Sequence, residues 1–323
     1  MRKYKEPIVY AVKHKKTEIR MASRSGGIFT ALSDAILNDG GIIYGVILND
    51  EYKAIHSRAT THEERDRMRG SKYVQSDMSL VLESIREDLQ NGKRVLFTGT
   101  SCQTASLHAF LGKKYVNLIS VDVVCHGVPS PDVWAKYVKF IEKKNGGKCV
   151  AVNFRDKENF GWPAHVETLC IKKRNRIKQI HSDLYSQLYY THTIIRPSCS
   201  KCPYKSIIHP ADITIADYWG IKKAAPGFYD DKGVSLVLIN SELGEHLFHT
   251  VTENLIVQRT KIEDSMQPPL KAPYEPPKNR ELFWKDYQSL PLEKVLNKYV
   301  GSALMRKIKV HEMKLKFFIK KLR

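Results

Sequence analysis

The chain has 323 residues, with 53 Lys and Arg against 34 Asp and Glu, a formal charge of +19. A content of 42% hydrophobic and 10% aromatic residues supplies a packed core and excludes a chain disordered throughout. No apolar run of about 18 residues occurs, which excludes a transmembrane helix, and the start MRKYKEPIVYAVKHKK has no signal-peptide stretch, so a cytoplasmic protein is expected.

In chain order, Ser25-Gly26-Gly27 opens a helical pattern from Ile28 to Leu37, with Ser25 expected as the N-cap and Asp39-Gly40-Gly41 as the stop. Ile42 to Leu48 reads as a buried strand. Met78 to Leu89 is an amphipathic helix ended by Asn91-Gly92. Arg94 to Thr98 is a strand, Gly99 to Cys102 a tight turn, Gln103 to Leu111 a helix and Leu118 to Val124 a strand. Ser130-Pro131 starts a helix, Ser as cap and Pro at its first position, running to about Lys144. Strand–helix alternation over 94–145 predicts a parallel sheet with crossover helices.

Beyond about residue 148 strand-like pieces dominate: Val150 to Arg155, Val166 to Ile171, Ile177 to His181, Ile213 to Ala216 and Val234 to Ile239, the last followed by a helix from Ser241. Residues 261–280 are Pro-rich and polar and read as a linker. A helix is expected from Ala303 to Leu322. The fold class is therefore α/β in the mixed sense, with strand–helix alternation first, a β-rich second half and a C-terminal amphipathic helix.

Six cysteines, at 102, 125, 149, 170, 199 and 202, do not make a disulfide framework in a reducing compartment. Cys102 and Cys125 each sit in a turn at the carboxyl end of a predicted strand, where ligands of open sheets gather. A helix start beside Cys102 favours thiolate, which serves as nucleophile or soft-metal ligand; the alternative is a small residue in a tight turn. Cys125 and His126 are neighbours on extended chain and point to opposite faces, which argues against a nucleophile pair. Cys199-Ser-Lys-Cys202 can chelate one zinc or two corners of an iron–sulfur cluster. No second such pair exists, so Cys102, Cys125 or His209 would have to complete the site. Cys149 and Cys170 lie in apolar strand-like stretches and read as packing residues.

Ser25-Gly26-Gly27 is either an anion-binding helix start or an ordinary cap. Trp219, in the turn after Asp212-Ile-Thr-Ile-Ala-Asp217, either shields a redox centre or packs in the core. Charge is concentrated in Lys172-Lys173-Arg174-Asn175-Arg176 and in the last 23 residues, which hold eight Lys or Arg and one Glu. Such clusters suit nucleic acid, an anionic membrane or plain solvation, and neither carries a base-reading motif. A zinc-stabilised, basic nucleic-acid-binding protein is the alternative reading that +19 and the paired cysteines allow.

Eight segments in order resemble the coenzyme F420 hydrogenase/dehydrogenase beta-subunit family of flavin and iron–sulfur oxidoreductases. They are SRSGGIFTAL from Ser23, GSKYVQS from Gly70, VLFTGTSCQ from Val95, VDVVCHGVPSP from Val121, NFRDKENFGW from Asn153, RPSCSKCPY from Arg196, ADITIADYWG from Ala211 and DDKGVSLVLIN from Asp230. The resemblance covers roughly residues 8–255. It implies FAD and a [4Fe-4S] cluster, with hydride arriving from a carrier such as coenzyme F420 and electrons leaving singly. It places Ser25, Gly26 and Gly27 at the flavin or its phosphates, and Gly70, Ser71, Lys72, Tyr73 and Gln75 in the same pocket. It assigns Cys102, Cys125, Cys199 and Cys202 to the cluster. No residue is assigned as a catalytic acid or base.

The implied organisation is a flavin-binding α/β part over 1–148, a β-rich part carrying the paired cysteines over 149–260, and a linker with a basic tail over 261–323. The implied partners are an electron-donor protein such as a ferredoxin and a small-molecule substrate, without nucleic acid. Three departures stand out. No ferredoxin-like run of four cysteines precedes Ser23, so a second cluster is expected from a partner. Ser101 replaces the family's Pro in the turn, and Ala216 replaces a Gly. Relatives of this shorter kind are often found with surface-polysaccharide genes, which implies a reductive step there. In the tail, Leu304, Ile308, Leu315, Ile319 and Leu322 recur at helical spacing among Lys and Arg, a pattern suited to peripheral membrane contact, to a partner, or to capping its own domain.

Overall fold

A computed structural model describes residues 2–322. In chain order its elements are β1 (Lys3–His14), α1 (Thr17–Ala22), α2 (Ile28–Asn38), β2 (Ile42–Leu48), β3 (Ala54–Ala59), α3 (His62–Asp66), α4 (Leu82–Gln90), β4 (Val95–Thr100), α5 (Ser101–Leu111), β5 (Leu118–Val123), α6 (Pro131–Asn145), β6 (Lys148–Asn153), α7 (Lys157–Phe160), β7 (Glu167–Lys173), β8 (Arg176–Ser182) and α8 (Leu184–Tyr190). They continue with β9 (Ile213–Asp217), α9 (Ile221–Ala224), β10 (Ser235–Ser241), α10 (Glu242–Thr250), β11 (Leu255–Arg259), α11 (Ile262–Ser265), α12 (Arg280–Ser289), α13 (Leu292–Tyr299) and α14 (Ala303–Leu322). The fold is mixed α/β. Two compact units form, each from separated stretches: residues 2–69, 76–126 and 202–273 in the first, and 70–75, 127–201 and 274–322 in the second.

The first unit is built on an eight-stranded sheet in the order β11-β1-β10-β9-β5-β4-β2-β3. Its centre, β2-β4-β5-β9, is parallel, and both flanks are antiparallel. Strand residues alternate between two faces. Ile43, Leu96 and Ile119 pack on one side with Leu32 and Ile36 of α2 and Phe248 of α10. Tyr44, Val95, Phe97 and Leu118 pack on the other with Ile85 and Leu89 of α4 and Leu107 of α5. Both faces of the central strands are covered, which is why such strands read as continuous apolar runs; β10, inside the sheet between β1 and β9, is buried at all seven residues as well. β4 and β5 are parallel neighbours with Thr100 opposite Val123, so the Cys102 and Cys125 turns leave from the same end of adjacent strands.

The second unit holds the antiparallel sheet β6-β7-β8. α6 starts at the expected Ser130 cap with Pro131 first and ends at Gly146. It is not a crossover helix of the main sheet, as the alternation had suggested; it leads into β6 of the small sheet. Its buried face is aromatic, and Trp134 packs against Phe154 at 4.5 Å and Tyr185 at 4.8 Å, partners that only this unit supplies. The tail helix α14 has the expected bounds and packs on α7 and β8. Among the described residues no helix is long and apolar enough to cross a membrane.

Candidate functional site

The β4–α5 turn is held by its own side chains. Gln103 Oε1 accepts from the Thr100 N–H at 3.0 Å and from the Thr100 hydroxyl at 3.1 Å, a reciprocal cap of the helix start. Gln103 Nε2 donates to Ser76 Oγ at 2.9 Å. Cys102 is the second residue of α5, exposed, with its sulfur 3.2 Å from Thr100 Oγ1. Cys125 follows β5 and is half-buried; the buried Lys205 donates to its carbonyl, fixing the Cys125 turn to the stretch after Cys202.

Beneath these turns lies a polar trio that the spacing of cysteines did not reveal. His209 Nδ1 is 3.0 Å from Asp122 Oδ2 and 3.1 Å from Ser101 Oγ. Asp122 is the last but one residue of β5, three before Cys125, and Ser101 directly precedes Cys102. His209 follows Cys202 by seven residues, so one buried group ties three cysteine-bearing segments of the first unit. His209 therefore acts here through Asp122 and Ser101.

Cys202 belongs to the same unit and is half-buried. Cys199 belongs to the second unit, in a 3-10 turn, Pro197–Lys201, where its N–H donates to Arg196 O at 3.0 Å. Tyr274 donates to the same carbonyl at 3.2 Å, and burial, with the Cys199 charge second, pushes its phenol up to about 12. All six cysteines are free thiols. Among the described residues no three His, Cys, Asp or Glu side chains are already drawn together as a metal site. Cys149 lies buried at the start of β6, and Cys170 sits on β7 opposite Ala151. Tyr218, fully buried and bonded to Thr260 at 2.8 Å, fills the core after β9, whereas Trp219 is 43% exposed.

The Ser25-Gly26-Gly27 turn is clamped by the strands beside it. Ser25 is not the N-cap of α2; that place is taken by Gly27 at φ 94°. Ser25 Oγ donates to Val234 O at 2.7 Å and the Gly26 N–H to Ser235 Oγ at 2.9 Å. A Cβ on Gly26 would collide with Val12 O and stand 2.6 Å from Ser235 N. These atoms are committed to the sheet.

Gly70 to Gln75 belong to the second unit. Gly70 has φ 78° and open space around it; Ser71 is exposed and Lys72 half-buried. The Gln75 N–H donates to Pro129 O at 3.2 Å. Tyr73 is the anchored member: Arg155 Nη1 donates to its hydroxyl at 3.2 Å and Tyr185 OH to its carbonyl at 2.8 Å. Tyr73 lines a cavity of about 10 Å³ with Arg155, His165, Glu167 and Tyr189, room for about one water. Glu167 is fully buried, accepting from Tyr137 OH at 2.8 Å and the Tyr185 N–H at 2.9 Å. Burial outweighs these bonds and lifts its carboxyl to about 7. Arg155 lies in the NFRDKENFGW segment, but nothing in the sequence sets Glu167 apart from a solvated strand residue.

Two family descriptions match the chain in order. The coenzyme F420 hydrogenase/dehydrogenase beta subunit N-terminal part matches residues 9–83, and the C-terminal part matches residues 92–265. Among solved structures, a chain of the F420-reducing [NiFe] hydrogenase complex from Methanosarcina barkeri, studied by xenon derivatization, has a similar fold. The TM-score is 0.52 at 17% identity, covering 88% of this chain and 94% of that chain. No curated protein matches.

Proposed function

The chain belongs to the coenzyme F420 hydrogenase/dehydrogenase beta-subunit family of oxidoreductases, and we propose that it is a flavin and [4Fe-4S] member of it. Its task in this reading is to pass electrons between a hydride carrier, coenzyme F420 or a similar one, or a ferredoxin, and a partner or small-molecule substrate. The observation that carries the reading is that all eight motif segments fall, in order, inside the two matched stretches. The resemblance also points to a reductive step linked to surface polysaccharide synthesis.

Cys102, Cys125, Cys199 and Cys202 are the proposed cluster ligands. Their chemistry fits: they are free thiols, none fully buried, and thiolates are the donors such clusters take. FAD, when bound, supplies hydride acceptance and single-electron release. The proposed flavin residues divide by role. Ser25 and Gly26 shape the start of α2 rather than lend their own bonded groups. Lys72 contributes a cation for a phosphate or ring edge, and Tyr73 is held by Arg155. Ser101, His209 and Asp122 fix the two strand-end turns relative to each other.

The test is anaerobic purification with an absorption spectrum and iron, sulfide and flavin assays on one sample. Flavin bands and about four irons per chain are expected for one [4Fe-4S] cluster, with iron lost from a Cys199→Ala, Cys202→Ala double variant. A colourless protein with stoichiometric zinc overturns the reading.

A further inference from the structure

The tail helix α14 holds on to its own unit with one face and leaves another apolar face uncovered. The docked face is well defined. Val310, at 4% exposure, packs with Phe160 and Val166. Phe317 lies so close over Gly161 that a Cβ there would stand 2.8 Å from its ring. Arg306 pairs with Asp183, Lys314 Nζ reaches His181 Nε2 at 3.1 Å, and Lys321 Nζ reaches Glu158 O at 3.2 Å.

With 3.6 residues per turn, Leu304, Ile308, Leu315, Phe318, Ile319 and Leu322 fall within about a third of the circumference, on the side away from Val310. All six are exposed, from 45% to 73%. Spacing of 1.5 Å per residue gives this stripe a length of about 27 Å, with one polar side chain, the exposed His311, inside it between Ile308 and Leu315. An apolar stripe of that length is not an ordinary scatter of surface residues. Lys309, Lys316 and Lys320 form a cationic row along one edge, and Lys307 stands at the other edge, where Lys314 and Lys321 are held by the docked face. Glu312 is the helix's one acidic residue.

We infer that this face of α14 lies in the interface of an anionic lipid bilayer. The inference does not depend on the redox reading above. The charge pattern selects the occupant. A second helix or a copy of this chain would leave the row Lys309, Lys316 and Lys320, with Lys307 opposite, without counter-charge, whereas an anionic headgroup layer meets these cations while the stripe enters the acyl boundary. The helix would lie along the membrane plane, since it is too charged to cross it. The docked face stays on the protein, so binding requires no unfolding of the second unit.

The test uses the full chain in vesicle flotation, comparing pure phosphatidylcholine with phosphatidylcholine carrying about 30% phosphatidylglycerol. At least a tenfold higher partition onto the anionic vesicles is expected, with most of it lost in high salt, since exposed charges are screened. A Leu315→Glu, Phe318→Glu variant and a Lys309→Glu, Lys316→Glu variant each lose tenfold or more. Both keep the wild-type melting temperature, because all four side chains are exposed. Absence of flotation, equal partition onto both vesicles, or unchanged partition of both variants overturns the inference. So does a concentration-dependent dimer that the Leu315→Glu, Phe318→Glu variant abolishes, since a second copy would then cover the stripe.

Discussion

His209 Nδ1 and Asp122 Oδ2 meet at 3.0 Å, and the other polar atom of each, His209 Nε2 and Asp122 Oδ1, is buried with no hydrogen-bond partner among the described residues. Each side chain is at most 2% exposed, so neither can turn to water for a replacement partner. Removing His209 strips the buried Asp122 carboxyl of this partner, and removing Asp122 leaves His209 Nδ1 only Ser101 Oγ at 3.1 Å, so either loss costs up to about 3–5 kcal/mol. Asp122→Ala and His209→Ala should each lower urea-unfolding stability by that order, and the double variant by clearly less than the sum. Additive losses would show that the two groups are not coupled.

His56 makes the acid side of the stability profile steep. It stacks on Phe97 at 5.3 Å between centroids and bonds Thr98 O through Nε2 at 3.1 Å. Burial pushes its imidazole down to about 4. The unfolded chain takes up this proton near pH 6.5 while the folded chain resists it, so the contribution is complete above 6.5. It is lost as pH falls toward 4, about 3 kcal/mol in all. The difference between the wild type and His56→Phe, followed by melting from pH 7 to 4, should grow in the variant's favour. A pH-independent difference would mean that the ring does not titrate in this window.

Gly26 is a packing requirement rather than a hinge. A methyl group there would strike the backbone of β1 and β10, at Val12 O and Ser235 N, and backbone atoms within a sheet have nowhere to move. Gly26→Ala is expected to cost about 3 kcal/mol or more, read as a lowered midpoint in urea. A loss under about 0.5 kcal/mol, typical of unconstrained surface sites, would refute the close approach.

The Cys102 and Cys125 turns were legible because β4 and β5 are consecutive and parallel, so a short reading frame fixes which ends lie together. The bounds of α14 were legible from its periodicity. β1 was not: Lys-Tyr-Lys-Glu-Pro begins it, and it becomes an internal strand only by pairing with β10 and β11, more than two hundred residues later. α6 looked like a crossover helix because alternation counts elements and says nothing about which sheet receives the next strand. His209 and Asp122 are 87 residues apart, so the pair exists only in the fold. Ser25 had the residue type of a cap, but its hydroxyl is taken by Val234 O, a competitor no local pattern announces.

Glu167 should tilt the neutral range in the opposite sense to His56. Tyr137 OH and the Tyr185 N–H both donate to Oε1 and favour the carboxylate, yet burial dominates and lifts the group to about 7. The unfolded carboxyl releases its proton near 4.5, so between 4.5 and 7 the folded chain holds more protons. The stabilisation is therefore complete below 4.5 and lost as pH rises through 7, about 3 kcal/mol in all. Glu167→Gln keeps an oxygen for both donors without the charge. Melting curves from pH 5 to 8 should show the variant gaining on the wild type as pH rises, and parallel curves would place the ionisation outside this range.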